Sequence, residues 1–144
     1  MKSDKIYLVG FMGAGKSTVA RALAQRLGWS VEDLDELIET QEQRTIAEIF
    51  STEGEAEFRK MERILLQELR PRRHVVVATG GGTFVDSASR ALIASDGASV
   101  WLDVSFETVG KRLPSDGTRP LATDRSTMHE LWRVRRPVYS LAEL

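Results

Sequence analysis

The chain has 144 residues, no cysteine and a formal net charge of −1. That size fits one domain, with a core made by burying roughly 68% of the unfolded surface, and the lack of thiols excludes a disulfide framework, a thiolate nucleophile and an iron–sulfur cluster. Hydrophobic residues at 42% and charged residues at 28% argue against disorder, and the two histidines, His74 and His129, leave little material for a His-built metal site.

Taken in chain order, the elements are expected to alternate strand and helix. Lys5–Gly10 (KIYLVG) is a short β-branched run ending in Gly and reads as a buried strand. Ser17–Leu27 places Val19, Ala20, Leu23, Ala24 and Leu27 at helical spacing, and Gly28 stops it. Ser30–Glu32 is a very short second strand, followed by a helix over Leu34–Gln41. Thr45-x-x-Glu48 is a capping box that starts a helix through Ile49 and Phe50. Glu55–Leu69 carries Phe58, Met61, Ile64, Leu65 and Leu69 and predicts a long helix, stopped at Pro71. His74–Ala78 (HVVVA) suits a central strand of a parallel sheet, buried on both faces. A helix over Asp86–Ala94, a strand over Ser99–Asp103 and a helix over Ser105–Leu113 follow, with Asp86 and Ser105 as caps. Leu113–Arg125, with Pro114, Gly117 and Pro120, reads as a loop, and Ser126–Tyr139 as the last helix, bent or ended by Pro137. Strand–helix alternation predicts an α/β fold with a mostly parallel sheet.

Charge is unevenly spread. Glu32–Glu68 holds twelve acidic and four basic residues, and Lys111–Arg136 holds seven basic and three acidic. The chain lacks the overall basicity and continuous basic face of a nucleic-acid binder. No apolar run approaches the ~20 residues of a membrane helix, and Met1–Gly10 reaches its glycine too soon for a signal peptide. A soluble cytoplasmic protein is expected.

Gly10-Phe11-Met12-Gly13-Ala14-Gly15-Lys16-Ser17 matches GxxxxGK[ST] in full, between a strand and a helix. Its glycines let successive N–H groups point at a phosphate, and the helix directs its positive end to the same place. Lys16 supplies a point charge for β/γ-phosphates and the Ser17 hydroxyl a ligand for Mg²⁺. Asp33-Leu34-Asp35 follows the second strand. In extended backbone the two carboxylates would share one side and one cleft, although DxD at a helix start also serves as a cap. Arg59 and Glu62 stand at i, i+3 on a helix, a spacing shared with ordinary surface ion pairs. Gly80-Gly81-Gly82 after a buried strand carries an entropic cost, which suggests close approach of a ligand at the C-terminal sheet edge. Arg119 lies in the Pro/Gly loop, where it could close over a transferring phosphate.

The ordered series GFMGAGKST (Gly10–Thr18), DLD (Asp33–Asp35), IAEIF (Ile46–Phe50), EAEFRKME (Glu55–Glu62), ATGGG (Ala78–Gly82), WLDV (Trp101–Val104), TRPL (Thr118–Leu121) and RRPVY (Arg135–Tyr139) closely resembles the shikimate kinase family. The resemblance runs over nearly the whole chain, and its specificity comes from eight motifs in order. It implies a single P-loop kinase domain over 1–144, of the nucleoside-monophosphate-kinase-like three-layer type. An acceptor-binding helical segment would cover about 33–62 and a lid about 113–125. It implies transfer of the γ-phosphate of ATP to the 3-hydroxyl of shikimate, with Mg²⁺ as cofactor, and a monomer without nucleic-acid or membrane partners. Gly13, Ala14, Gly15, Lys16, Ser17 and Thr18 would cradle ATP, with Arg112 near the adenine and Arg119 on the phosphates. Ser17 and Asp33 would serve the metal. Asp35 would bind the acceptor hydroxyl and act as base. Arg59 and Arg135 would grip the carboxylate, against a backbone wall of Gly80, Gly81 and Gly82. Lys16, Asp35 and Arg119 would carry catalysis.

There are departures from the family pattern. Gln43 stands where the family often has Gly, and Ser140–Leu144 matches poorly. The family's chains continue past the Tyr matching Tyr139 to supply a last strand, an adenine-facing loop and a helix. This chain stops at Leu144, so the C-terminal strand is expected to be missing, with one sheet edge unpaired. That feature alone favours a catalytically impaired ligand-binding module. A related P-loop kinase with another small hydroxylated acceptor would not need Arg59 with Arg135 or the glycine wall.

Overall fold

The computed structural model describes residues 4–112 and 125–144. Four parallel strands, β1 (Lys5–Val9), β2 (Ser30–Asp33), β3 (Val75–Ala78) and β4 (Ala98–Trp101), form a sheet in the order β2-β3-β1-β4. The helices are α1 (Lys16–Leu27), α2 (Leu34–Glu42), α3 (Ile46–Glu68), α4 (Ser87–Asp96), α5 (Phe106–Arg112) and α6 (Arg125–Tyr139). Among the described residues, no helix is long and apolar enough to cross a membrane.

Strand alternation divides the core into two. Leu8, Val76 and Ala78 face α1 and bury against Ala20 and Ala24. Tyr7, Val9, Val75 and Val77 face the other way, onto Leu65, Leu66, Ile93 and Tyr139. The sheet is thus sandwiched between α1 and the α3–α4–α6 side, which is the parallel α/β fold that the alternation predicts and the three-layer type that the resemblance implies.

Local signals set the element ends. Gly28 caps α1 at φ 69°, and Asp86 accepts from the Ser89 amide at 3.0 Å to start α4. The Thr45–Glu48 capping box closes in both directions, at 3.1 and 3.0 Å. The helix it starts runs on to Glu68 but breaks at Gly54 (φ 85°, ψ 170°), so the two expected helices are one broken element. Gln43 takes the left-handed conformation at φ 54°, as a Gly would, and the helix start after it forms regardless. β3 begins at Val75 rather than His74, because His74 turns the chain at φ 55°. Pro137 lies inside α6, which ends at Tyr139.

Among the described residues the sheet ends at β4 with no further strand, as expected, but that edge is not wholly unpaired. The Trp101 amide donates to Leu144 O at 2.9 Å, and the Leu144 amide donates to Ser99 O at 3.1 Å. The last residue therefore satisfies two outward groups of that strand. The predicted lid about 113–125, with Arg119, lies outside the described residues, as does the side chain of Arg112.

At the N-terminal end of the sheet, opposite the glycine loops, Lys5 is fully buried. It donates to Leu69 O and lies 2.6 Å from Asp96 Oδ2. Tyr7 OH and Arg73 Nη1 reach the same carboxylate at 2.7 and 2.8 Å. Burial pushes the Asp96 carboxyl up, but the hydrogen bonds from Lys5, Tyr7 and Arg73 outweigh it and hold it below the usual range. A carboxylate lowered in the folded state adds stability above its unfolded pKa, and that stability is lost as pH falls through the lower folded value. Asp96→Asn leaves a buried ammonium without its counter-charge and is expected to cost about 3 kcal/mol. Urea titrations at pH 7 and below pH 4 check this: the deficit should be large at pH 7 and shrink in acid.

Candidate functional site

A cleft of about 510 Å³ opens at the C-terminal edge of the sheet. The P-loop, Asp33 and Asp35, and Gly80 with Gly81 line it. These segments meet there because β1, β2 and β3 are parallel and adjacent, so the loops leaving them share one edge.

The loop after β1 turns through Gly13 (φ 79°) and Gly15 (φ 94°), conformations that a Cβ would strain. Gly15 is the residue before α1, so the helix's first amides open onto the loop. Ala14 is buried beneath, its amide donating to Phe11 O at 3.1 Å. Lys16 is 8% exposed and its Nζ donates to Gly10 O at 2.7 Å and Phe11 O at 3.0 Å. A lysine so folded over its own loop is held at the loop's mouth. Ser17 and Thr18 line the cleft beside it.

Ser17 Oγ donates to Asp33 Oδ2. Asp33 also caps α2, its Oδ1 accepting from the Glu36 amide at 3.1 Å. The two readings of the DxD therefore both hold for Asp33. Asp35 reaches the same cleft, but not by the extended i, i+2 route: β2 ends at Asp33, and Asp35 stands in the first turn of α2. Glu39, unmarked by any motif, also lines the cleft and accepts from the Ile46 amide at 2.9 Å.

Arg59 and Glu62 are not a surface pair. Glu62 is fully buried, and Arg59 is 11% exposed along its side chain. Arg59 Nη1 donates to Glu62 Oε1 at 2.8 Å, and Nη2 to Glu55 Oε2 at 3.0 Å. Burial pushes the Glu62 carboxyl above its usual range, against the pull of Arg59 and of the Thr83 hydroxyl. Burial also opposes the Arg59 charge, but Glu62 and Glu55 outweigh it and keep the guanidinium ionised. Burial of Glu62 was readable in part: it shares the helical stripe of Phe58, Leu65, Leu66 and Leu69.

The glycine run explains itself by close approach. A Cβ on Gly80 would stand 2.8 Å from Asp35 Oδ1, one on Gly81 would stand 3.1 Å from Met12 N, and one on Gly82 would overlap the Arg59 guanidinium. Tyr139 OH donates to Gly81 O. Burial raises the Tyr139 hydroxyl to about 12, while Arg135 and Arg59 both pull it down. Both guanidiniums thus act on one point beside the glycine wall. Arg135 is 6% exposed, and its Nη1 finds no hydrogen-bond partner among the described residues. A buried guanidinium with a donor to spare is suited to a carboxylate or phosphate.

Comparison with known proteins shows the family. The shikimate kinase family model matches residues 12–144. The chain belongs to the shikimate kinase family. The shikimate kinase of Persephonella marina (strain DSM 14350 / EX-H1) is 40% identical, over 96% of this chain and 85% of its own length. That of Rhodopirellula baltica is 42% identical, over 96% of this chain and 78% of its own length. The structure of Acinetobacter baumannii shikimate kinase in complex with shikimate superposes with a TM-score of 0.93 at 38% identity, covering 99% of this chain and 82% of that one. As a shikimate kinase family member the chain is an ATP-using kinase, and the fold, with its central parallel sheet, is that of its family.

Gly82 has φ −106°, which any residue adopts, so Gly82→Ala should fold normally. Its methyl group should drive the Arg59 guanidinium off Glu62. A crystal structure of the variant checks this, and an undisturbed Arg59–Glu62 pair would contradict the close approach.

Proposed function

We propose that this chain transfers the γ-phosphoryl group of ATP to the 3-hydroxyl of shikimate, and that the residues gathered at the cleft carry out the transfer. The observation that carries this reading is the geometry at the glycine wall. One cleft holds a complete P-loop and a carboxylate, Asp35, and beside it lie two buried guanidiniums, Arg59 and Arg135. An acceptor with both a hydroxyl and a carboxylate fits that set, and a solved relative holds shikimate.

Phosphoryl transfer has a loose transition state, so positioning and charge neutralisation supply most of the catalysis. The amides of Gly13 to Thr18 and the Lys16 ammonium hold the β- and γ-phosphates. Ser17 Oγ and the Asp33 carboxylate, in contact across the cleft, are hard oxygen donors that suit Mg²⁺ directly or through water. When bound, Mg²⁺ neutralises phosphate charge. Arg59 and Arg135 fork the shikimate carboxylate, with the backbone of Gly80 to Gly82 as the wall behind it. That grip presents the hydroxyl to Asp35. Asp35 takes the hydroxyl proton as the oxygen attacks the γ-phosphorus, and ADP leaves. Arg112 and Arg119 complete the nucleotide side, and segment 33–62 the acceptor side. The relatives that match the chain are shikimate kinases, which supports turnover over the alternative of a ligand-binding module.

The test is ADP release from ATP and Mg²⁺ with and without shikimate, with Lys16→Ala as the blank. Shikimate-dependent ADP that vanishes in the blank is expected. Equal ADP with and without shikimate would overturn the acceptor. Asp35→Asn should lower kcat by about 10²–10⁴-fold with the fold intact. Arg59→Lys loses the planar fork and should raise KM for shikimate about tenfold or more, with KM for ATP unchanged.

A further inference from the structure

Thr83 opens the short turn after the glycine run and has no part in the mechanism above. It is fully buried. Its Oγ1 accepts from the Gly80 amide at 2.9 Å and donates to Glu62 Oε2 at 2.6 Å. The other Glu62 oxygen takes Arg59 Nη1 at 2.8 Å. The Thr83 amide donates back to Gly80 O at 3.3 Å, which closes the turn. A Cβ on Gly80 would meet Asp35 Oδ1, Thr83 Oγ1 and Glu62 Oε2 within 3.3 Å, so all three crowd one backbone position.

A hydroxyl has one proton to give and lone pairs to accept. Thr83 uses both directions, and the Gly80 amide and Glu62 Oε2 are each bonded through it. Replacing it with a side chain of the same shape and no hydroxyl would strand a buried donor and a buried carboxylate oxygen together. The chain of bonds runs from the Arg59 fork through Glu62 and Thr83 to the backbone beside Asp35. Those are the two ends of the acceptor site.

We propose that Thr83 is a positioning residue for the acceptor: its hydroxyl sets the reach between the Arg59 guanidinium and the Gly80 wall against Asp35. The claim rests on the roles given to Arg59 and Asp35 under the proposed function. It predicts that the tie matters to shikimate and not to ATP, whose loop it does not touch.

The experiment compares Thr83→Val, which keeps shape and loses the hydroxyl, with Thr83→Ser, which keeps the hydroxyl. Two readouts are taken on folded protein: KM for each substrate, and hydrogen exchange at the Gly80 amide by NMR. Thr83→Val should raise KM for shikimate about tenfold and speed Gly80 exchange about tenfold, the scale of one stranded buried hydrogen bond. KM for ATP should stay within about twofold, and Thr83→Ser should restore both readouts. If Thr83→Val does not fold, Thr83→Ala, which also removes the hydroxyl, is read in the same way. An unchanged KM for shikimate overturns the proposal, as does an equal rise in both KM values. A parent chain that turns over no shikimate contradicts the function itself, and the positioning role falls with it even if Gly80 exchange responds.

Discussion

The Glu62 carboxylate lies at zero exposure inside an otherwise apolar helix stripe. An ionised carboxylate in that position costs several kcal/mol unless it is paired and hydrogen-bonded on both oxygens. Both oxygens are occupied here, one by Arg59 and the other by Thr83. That constraint organises the acceptor side of the cleft. It fixes the guanidinium close against Gly82, ties the glycine run to α3, and means that a side chain at Gly80 or Gly82 displaces one of these partners. A surface pair at the same spacing would do none of this, because two solvated side chains gain little from one geometry.

The nucleotide side follows a different logic, written in the backbone. Parallel strands deliver β1, β2 and β3 to one edge, and the turns leaving them supply the P-loop, the Asp33–Asp35 corner and the glycine wall. Rigid strands hold loops whose conformation depends on glycine at Gly13 and Gly15. Asp33 joins the two sides, capping α2 with one oxygen and accepting from Ser17 with the other. The buried Lys5–Asp96 cluster lies at the opposite end of the sheet from the cleft.

Signals that act through nearby residues were legible in the sequence. The Gly28 stop, the Thr45–Glu48 box, the Asp86 cap and the P-loop all depend on residues close in the chain, and each stands where the pattern places it. Signals that need the third dimension were not. Arg59 and Glu62 at i, i+3 say nothing of the helix face being covered, and only the stripe through Phe58 and Leu65 hints at it. Asp33 and Asp35 reach one cleft through a strand-to-helix corner rather than an extended backbone. The pairing of Leu144 with Ser99 and Trp101 joins segments far apart in the chain, beyond any local rule. Thr83 carries no motif at all: its two hydrogen bonds form only because Gly80 and Glu62 meet it in space.

The central claim is that one small molecule spans the two sides, its carboxylate on the arginines and its hydroxyl at Asp35. A crystal structure of the chain with shikimate measures that directly. The account predicts the carboxylate between Arg59 and Arg135, with the spare Arg135 Nη1 donating to it, and a ring hydroxyl within hydrogen-bond reach of Asp35. Shikimate bound with its carboxylate on Lys16 or the P-loop amides, and Arg135 Nη1 still without a partner, would contradict it.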